Sequence, residues 1–389
     1  MSATLYAPSL RSQLIGEYDE RHDLAYFRGI PYATIKQRWT HSTILHELPN
    51  KFNAEKFGPR CPQEEGAVLV SGGMNDPTPG DSEFDCLNLN ICVPRECLEQ
   101  FQNGHRKRKV PVMFWIHGGG FRFGANSVAR YRPHALCSRA RESGRPIILV
   151  QIGYRLGPLG FAASDALQAE FGTSPNATGP ASGNYGFEDQ RNALRWVHEH
   201  IADFGGDPDN VTAFGVSAGS ASVHYHILTG DPMFDKAICM SGTGGTLGPL
   251  DPQYYQQAWD ALCAATGLRD ASAVDQVTTL RKAPVMDILQ KYSNAAMGPV
   301  GDGVLLPRHW KFEDTLITRC RSIILGDTNV EGIILDSIAR NIKPEQMLRT
   351  IQEIIVPKNR EISAAISTSL DLIKNGRRTE SRYDDSWAI

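Results

Sequence analysis

Five residues near the middle of the chain have the types and spacing of a nucleophilic turn. The segment GVSAG, residues 215–219, lies where an apolar run, Val211–Phe214, gives way to a helical pattern. Small neighbours let a strand and a helix approach closely, and such a turn holds its serine in a strained conformation at a helix N-terminus. The pattern predicts that Ser217 is a nucleophile. An exposed serine in a glycine-rich turn is the alternative.

A second glycine-rich segment lies upstream of this turn. The sequence HGGGF, residues 117–121, closes a buried apolar run. Successive glycines let the backbone turn its amides toward a substrate oxygen, as an oxyanion hole requires. The predicted donors are the amides of Gly119, Gly120 and Ala218. His117 is interpreted as orienting this loop, with a structural role or that of general base as alternatives. The two segments together predict acyl-transfer chemistry.

Short strand-like runs alternate with helical patterns around these two segments. The strands are expected at residues 109–117, 145–154, 210–214, 237–240 and 322–325. An amphipathic helix is expected over 187–204, because Leu194, Val197, Ile201 and Phe204 recur at spacings of three and four. Strands separated by helices favour βαβ units and a mostly parallel sheet. The sequence therefore predicts the α/β class.

Composition excludes several other classes of protein. The 389 residues are 41% hydrophobic and 21% charged, with a net charge of −3, so neither disorder nor a nucleic-acid-binding footprint is indicated. No apolar run approaches the roughly 18 residues that cross a membrane. Without a signal-peptide pattern, we expect a cytoplasmic location, or secretion if a leader precedes this sequence. The predicted chemistry needs no metal or organic cofactor.

Five further segments carry a family resemblance. They are YFRGIPYA (26–33), DCLNLN (85–90), YRLGPLGF (154–161), GNYGFEDQ (183–190) and FGGDPDNV (204–211). With the serine turn, they resemble the type-B carboxylesterases, which include cholinesterases and many fungal esterases and lipases. The resemblance covers residues 10–340 and implies one α/β-hydrolase domain, in which Gly153 and Val216 depart from the usual asparagine and glutamate. Residues 341–373 read as its helical remainder, and residues 374–389 as a polar tail outside the family.

The resemblance also implies roles for particular residues. Cys61 and Cys86 align with a pair that forms a disulfide in secreted relatives. The other cysteines are expected to be small buried apolar residues. Glu331, in the segment GDTNVEG (326–332), is implied as the acid of a catalytic triad. A solvated loop carboxylate is the alternative for Glu331, and Asp302 is a second choice for the acid.

A histidine is implied downstream of the acid, and the sequence has none there. All 11 histidines lie between His22 and His309. His198 and His200 are expected on the solvated side of the amphipathic helix, and no histidine pair has a zinc-ligand arrangement. His224 and His226 are expected on different faces of the helix that follows Ser217. We interpret the sequence as C-terminally incomplete, with the last strands of the sheet absent.

Two functions follow from these features. The first is a serine carboxylic-ester hydrolase that forms an acyl-enzyme on Ser217 with a small-molecule ester. The missing histidine leaves the activity of this chain open, because a serine hydroxyl is a weak nucleophile until a base accepts its proton. The alternative is a non-catalytic binding protein with the α/β-hydrolase fold. The sequence does not indicate the oligomeric state.

Overall fold

The computed structural model of the chain describes seven stretches of residues. These are 1–64, 78–104, 109–172, 183–230, 232–292, 298–306 and 320–329. Met1–Asp327 is one compact unit, and Thr328–Ile389 is a second, of which only Thr328 and Asn329 are described. Glu331, His309 and the predicted segments 341–373 and 374–389 lie outside the described residues.

A mixed, mostly parallel sheet forms the centre of the first unit. Its strands and the small hairpin beside it are β1 Ser2–Ala7, β2 Ser12–Asp19, β3 Leu24–Pro31, β4 Ala33–Thr34, β5 Thr43–Ile44, β6 Lys51–Asn53, β7 Asn88–Pro94, β8 Val110–Ile116, β9 Ile148–Ile152, β10 Gly206–Val216, β11 Lys236–Met240 and β12 Ser322–Gly326. The main order is β1-β2-β3-β7-β9-β8-β10-β11-β12, with β6 beside β2; β4 and β5 pair separately. Along this order, the pairs from β1 through β2, β3 and β7 to β9 are antiparallel, and the pairs from β9 through β8, β10 and β11 to β12 are parallel. The pair of β2 with β6 is also parallel.

Helices flank the sheet on both sides. They are α1 Arg95–Gln102, α2 His134–Glu142, α3 Gly157–Phe161, α4 Asp165–Gly172, α5 Tyr185–His200, α6 Ala218–Leu228, α7 Pro252–Ala265, α8 Ala273–Lys282 and α9 Val285–Lys291, with short 3-10 turns at Pro8–Leu10, Ala129–Tyr131 and Ile201–Phe204. The α/β class and the five predicted strands are confirmed, with boundaries shifted by a few residues. In the described part of the chain, every helix is too short or too polar to cross a bilayer.

The amphipathic helix forms where its apolar spacing predicts it. α5 ends at His200 and continues as the 3-10 turn Ile201–Phe204. Leu194, Val197, Ile201 and Phe204 are fully buried, which confirms the predicted apolar face. Because these side chains pack toward the sheet, the helix fixes the loop that leads into β10. β10 in turn delivers the chain to the GVSAG turn.

Two family segments meet in a buried ion pair. Arg155 Nε and Nη2 donate to the two carboxylate oxygens of Asp189 at 2.7 and 2.8 Å. The two side chains are only 2% and 0% exposed. Ser42 Oγ donates to the same carboxylate at 2.6 Å, and Arg155 Nη1 donates to the Thr40 carbonyl at 2.7 Å. A bidentate pair with these extra bonds satisfies charges that would otherwise be costly to bury.

The asparagines of the DCLNLN segment connect separate parts of the chain. Asn90 Oδ1 accepts from the Gly29 amide at 2.9 Å, and its Nδ2 donates to the Asn126 carbonyl at 3.2 Å. Asn88 Nδ2 donates to the Pro59 carbonyl at 2.7 Å. The segment therefore binds the antiparallel side of the sheet to the loop that follows the HGGGF segment.

Candidate active site

Ser217 stands at the sharp turn between β10 and α6. Its backbone has φ 55° and ψ −122°, a left-handed conformation that is strained for a residue with a side chain. The Ser217 amide donates to the Met240 carbonyl at 2.9 Å, and its carbonyl accepts from the Ala221 amide at 2.9 Å. These two bonds, together with the packed strand and helix, hold the strained turn. The strained geometry predicted for the turn is confirmed.

The HGGGF loop packs directly against the serine turn. A Cβ placed on Gly118 would lie 2.5 Å from the Val216 carbonyl oxygen and 3.1 Å from Ser217 Cβ. Gly119 has φ +119°, and a Cβ there would lie 2.1 Å from the Phe123 carbonyl oxygen. Only glycine fits both positions without displacing backbone. The structure thus brings the two glycine-rich segments together, although almost a hundred residues separate them in the chain.

Three backbone amides are available beside Ser217. Within the described part of the chain, the amides of Gly119, Gly120 and Ala218 donate to no protein acceptor. Ala218 is the first residue of α6, where a helix leaves its amides without intrahelical acceptors and carries partial positive charge. The amides that the sequence predicts as oxyanion donors therefore lie in the turn and in the loop that packs on it.

His117 is held as part of the loop. Its ring is buried and stacks on Tyr154 with centroids 4.5 Å apart. His117 Nδ1 lies 2.8 Å from the Gly118 carbonyl oxygen, and the Tyr154 hydroxyl donates to the His117 carbonyl at 2.9 Å. These contacts favour the orienting role over that of general base. Sequence reasoning missed Tyr154 as a loop support, although it begins the YRLGPLGF segment.

Gly242 is a second contact that sequence reasoning missed. A Cβ on Gly242 would lie 2.5 Å from the Ser217 carbonyl oxygen, so its backbone passes directly against the turn. Ser220 Oγ donates to the Gly242 carbonyl at 2.5 Å. The residue follows β11 with no motif around it, so only the parallel pairing of β10 with β11 reveals the contact.

No histidine in the described ranges forms a hydrogen bond with Ser217 Oγ. His198 Nε2 lies 2.7 Å from the Met233 carbonyl oxygen. His200 is only 3% exposed, so its predicted place on the solvated side of the helix is wrong. The apolar residues of α5 indicate only the side of the helix that faces the sheet. The N-terminal segment covers His200 on another side, and the spacing of residues within the helix cannot predict that contact.

The two histidines of α6 are both buried. Burial lowers the pKa of His224 to about 4, and its Nδ1 accepts from the Gly244 amide at 3.0 Å. Burial also lowers the pKa of His226, whose ring stacks on Phe187 and bonds to Gln190. The two side chains point in different directions, but both are buried, because both faces of α6 are covered by other parts of the protein. These rings are parts of the core.

Of the two candidates for the triad acid, Glu331 and Asp302, the structure describes only Asp302. Glu331 lies outside the described residues, so its role stays a prediction. Asp302 Oδ1 accepts from the amides of Val304, Leu305 and Leu306 at 2.9 to 3.0 Å, and its other oxygen accepts from Asn184 at 3.2 Å. This carboxylate organises its own loop, which favours the structural role for the second-choice acid.

Two pairs of buried cysteines lie side by side. The hydrogen bond with Cys61, together with burial, raises the pKa of Cys86. The disulfide that the family resemblance implies for this pair stays a prediction. Cys92 and Cys137 form a second pair, in which burial and the contact raise the pKa of Cys92. Cys97, Cys239 and Cys263 are buried as expected for small apolar residues, and Cys320 is half-buried.

Replacing Gly118 with alanine is expected to displace Ser217. The new methyl group would overlap the Val216 carbonyl, so the loop and the turn must separate. We expect kcat/KM for an aryl ester to fall by about 100-fold, since small displacements of reacting groups cost rate on that scale. Gly326→Ala is the matched variant, because a Cβ there meets no atom within 4 Å and Gly326 lies in β12, without a left-handed backbone. An equal loss in the two variants would argue against this steric account.

The chain matches the model of the "Carboxylesterase family" over residues 11–377. The carboxylic ester hydrolase of Bombus ignitus is 33% identical over 295 residues, covering 72% of this chain and 47% of that protein. Lipase 1 of Geotrichum candidum is 32% identical, covering 93% and 67%. The "Inactive carboxylesterase-like protein VdtD" of Byssochlamys spectabilis is 31% identical, covering 66% and 43%. The chain spans about half the length of several relatives it matches.

Solved structures show the same relationship. A PNB esterase superposes with a TM-score of 0.70 at 26% identity, covering 91% of this chain and 68% of that one. A carboxylesterase from Geobacillus stearothermophilus superposes with a TM-score of 0.69 at 29% identity, covering 90% and 67%. The α/β-hydrolase fold expected from the sequence is thereby confirmed. On these matches and the arrangement of its glycine-rich segments, the chain belongs to the carboxylesterase family.

Proposed function

We propose that the protein is a serine carboxylic-ester hydrolase that acts through an acyl-enzyme on Ser217. One observation carries the proposal: Ser217 has a strained left-handed backbone at a strand-to-helix turn, and the HGGGF loop packs against that turn. Strain of this kind costs on the order of 1–3 kcal/mol and persists where the surroundings impose it, often at functional sites. Its relatives, named as ester hydrolases and lipases, support the same reaction.

The proposed reaction begins with attack by Ser217 Oγ on the ester carbonyl carbon. The carbonyl oxygen becomes negatively charged and accepts hydrogen bonds from the amides of Gly119, Gly120 and Ala218. The carbon–oxygen bond to the alcohol then breaks, and the alcohol leaves with a proton. Water attacks the acyl-enzyme, releases the carboxylic acid and returns the proton to Ser217. The substrate class is therefore a small-molecule carboxylic ester.

Proton transfer in this reaction needs a base oriented by an acid. Glu331 is the proposed acid, at a position that follows β12 in the chain. In the Ser-His-Asp type of triad this base is a histidine. The hydrogen bonds of the described histidines are to groups other than Ser217 Oγ, so we assign none of these histidines as the base.

A second candidate function is binding without catalysis. It is favoured by the lack of a hydrogen bond from any described histidine to Ser217 Oγ and by the relative named inactive. In that case, the same fold would hold an ester or another small molecule without turning it over. The two candidates differ in whether Ser217 is nucleophilic.

Labelling with a fluorophosphonate probe separates the two candidates. A nucleophilic serine forms an oxygen–phosphorus bond and expels fluoride, and peptide mass spectrometry locates the adduct. The expected result is an adduct on Ser217 of the folded chain, absent from Ser217→Ala and from heat-unfolded protein. No adduct, or equal labelling before and after unfolding, would support the binding protein instead.

A further inference from the structure

A cluster of three side chains lies where α5 ends. Glu199 and His200 are the last residues of α5, and His46 follows the short strand β5. One ligand atom from each of the three lies within 4.8 Å of the others. His46 Nδ1 is 2.7 Å from Glu199 Oε2, and His200 Nε2 is 3.7 Å from the same oxygen.

His200 contributes a buried ring nitrogen, Nε2. The residue is 3% exposed, and no atom of the described residues meets hydrogen-bond geometry with Nε2. A neutral imidazole has one nitrogen that carries a proton and one that carries a lone pair.

Hydrogen bonds on the other side of the ring decide which nitrogen carries the lone pair. Ser9 Oγ lies 2.7 Å from His200 Nδ1 and 2.6 Å from Asp203 Oδ2. A carboxylate only accepts, so the hydroxyl proton of Ser9 goes to Asp203. Ser9 Oγ must then accept from Nδ1–H, which leaves the lone pair on Nε2. Metal-binding histidines are oriented in this way, by donating their second N–H to an acceptor.

We propose that His46, Glu199 and His200 form a binding site for a divalent transition-metal cation of the Zn²⁺ type. Two imidazoles and one carboxylate suit this class of cation, and three protein ligands leave a position for water. Bond lengths of about 2.0 to 2.2 Å put neighbouring tetrahedral ligands about 3.4 Å apart. His46 and Glu199 must separate slightly, and their side chains are 60% and 43% exposed, so they have room to move.

Cation binding would move a proton within His46 and connect three segments of the chain. A carboxylate only accepts, so His46 Nδ1–H donates to Glu199 Oε2, and the ring must carry its proton on Nε2 before Nδ1 can bind a cation. The bound cation would then hold the loop after β5 against the end of α5. Through Ser9 and Asp203 the N-terminal 3-10 turn belongs to the same unit. This site is independent of the proposed ester chemistry.

The histidine pairs that are close together in the sequence predict no zinc-ligand arrangement. His46 and Glu199 are 153 positions apart, and only the packing of the β5 loop on α5 brings them together. Glu199 and His200 alone would not indicate a site. The third ligand comes from the tertiary structure.

Titration of the metal-free chain with Zn²⁺ tests the proposal, with isothermal titration calorimetry as the readout. We expect one saturable site, and a loss of affinity of at least about 100-fold in His46→Ala and in Glu199→Gln. Ser9→Ala, which removes only the support of His200, is expected to lose about 10- to 100-fold. Both ligand substitutions are at exposed side chains, so the variants should fold, as circular dichroism would verify.

His22→Ala is the matched control. His22 Nδ1 pairs with Asp19 Oδ2 at 2.6 Å, much as His46 pairs with Glu199, but among the described residues this pair is not part of a group of three close ligand atoms. Its Zn²⁺ affinity should equal that of the parent chain. Absence of saturable binding, or equal affinity in the parent, His46→Ala and Glu199→Gln proteins, would overturn the proposal.

Discussion

Ser217→Ala is expected to lower kcat/KM for a short-chain aryl ester by about 10³- to 10⁶-fold, the range in which loss of a serine nucleophile falls. The substitution removes the Oγ atom that would form the acyl-enzyme. It leaves the amides of Gly119, Gly120 and Ala218 in place, so any residual rate reports on binding and the oxyanion site alone. Initial-rate measurements with release of the aryl alcohol give this ratio directly.

The matched control for this prediction is Ser143→Ala. Ser143 is exposed, and its hydroxyl donates only to the Ala140 carbonyl, at 2.8 Å. Hydrolysis by this variant should equal that of the parent chain. If Ser217→Ala keeps the parent rate while both variants remain folded, Ser217 is not the nucleophile and the proposed reaction is wrong.

A loss of kcat/KM of this size requires the strained geometry of the GVSAG turn. That geometry could be predicted from the residues of the turn itself. Glycines at positions 215 and 219 allow a strand and a helix to meet closely, and Ser217 has the strained backbone that this requires. The strands around it were also predictable, because parallel strands buried on both faces are continuous apolar runs. A continuous apolar run therefore indicates a strand that is buried on both faces.

The antiparallel half of the sheet gave a weaker sequence signal. β1 alternates exposed and buried residues, as expected for a strand with one face covered. Six residues of such a pattern are too few to distinguish a strand from a loop with scattered apolar positions. The sequence marks β3 and β7 as family segments rather than as strands. Their role in the sheet becomes clear only from the register between Tyr26 and Cys92.

Contacts between distant segments were the least predictable part of the site. The pairing of Cys92 with Cys137 depends on how α2 lies on β7, and the position of His200 depends on the N-terminal 3-10 turn. Neither contact leaves a periodic pattern in the sequence. The spacing of apolar residues predicts which residues lie on the same face of a helix. It does not predict how many faces of that helix other segments bury.

Motifs can also mark residues whose role is structural, and the buried ion pair tests this. Asp189→Asn is expected to lower the free energy of unfolding by about 3–5 kcal/mol, the range found when one partner of a buried pair is removed. Arg155 would remain charged and 2% exposed, and an amide cannot replace both carboxylate oxygens that it now contacts. Chemical denaturation followed by circular dichroism measures the change.

Two further variants show whether the loss comes from an unpaired buried charge. The double substitution of methionine for Arg155 and leucine for Asp189 removes both charges, so it should be less destabilising than Asp189→Asn alone. Glu47→Gln removes a partner from an exposed pair, in which Arg11 and Glu47 are 74% and 57% exposed, and should change stability by less than about 1 kcal/mol. A double variant less stable than Asp189→Asn would show that the pair contributes net stability. The two family segments would then be joined by attraction between their charges, and not only by the cost of leaving one charge unpaired.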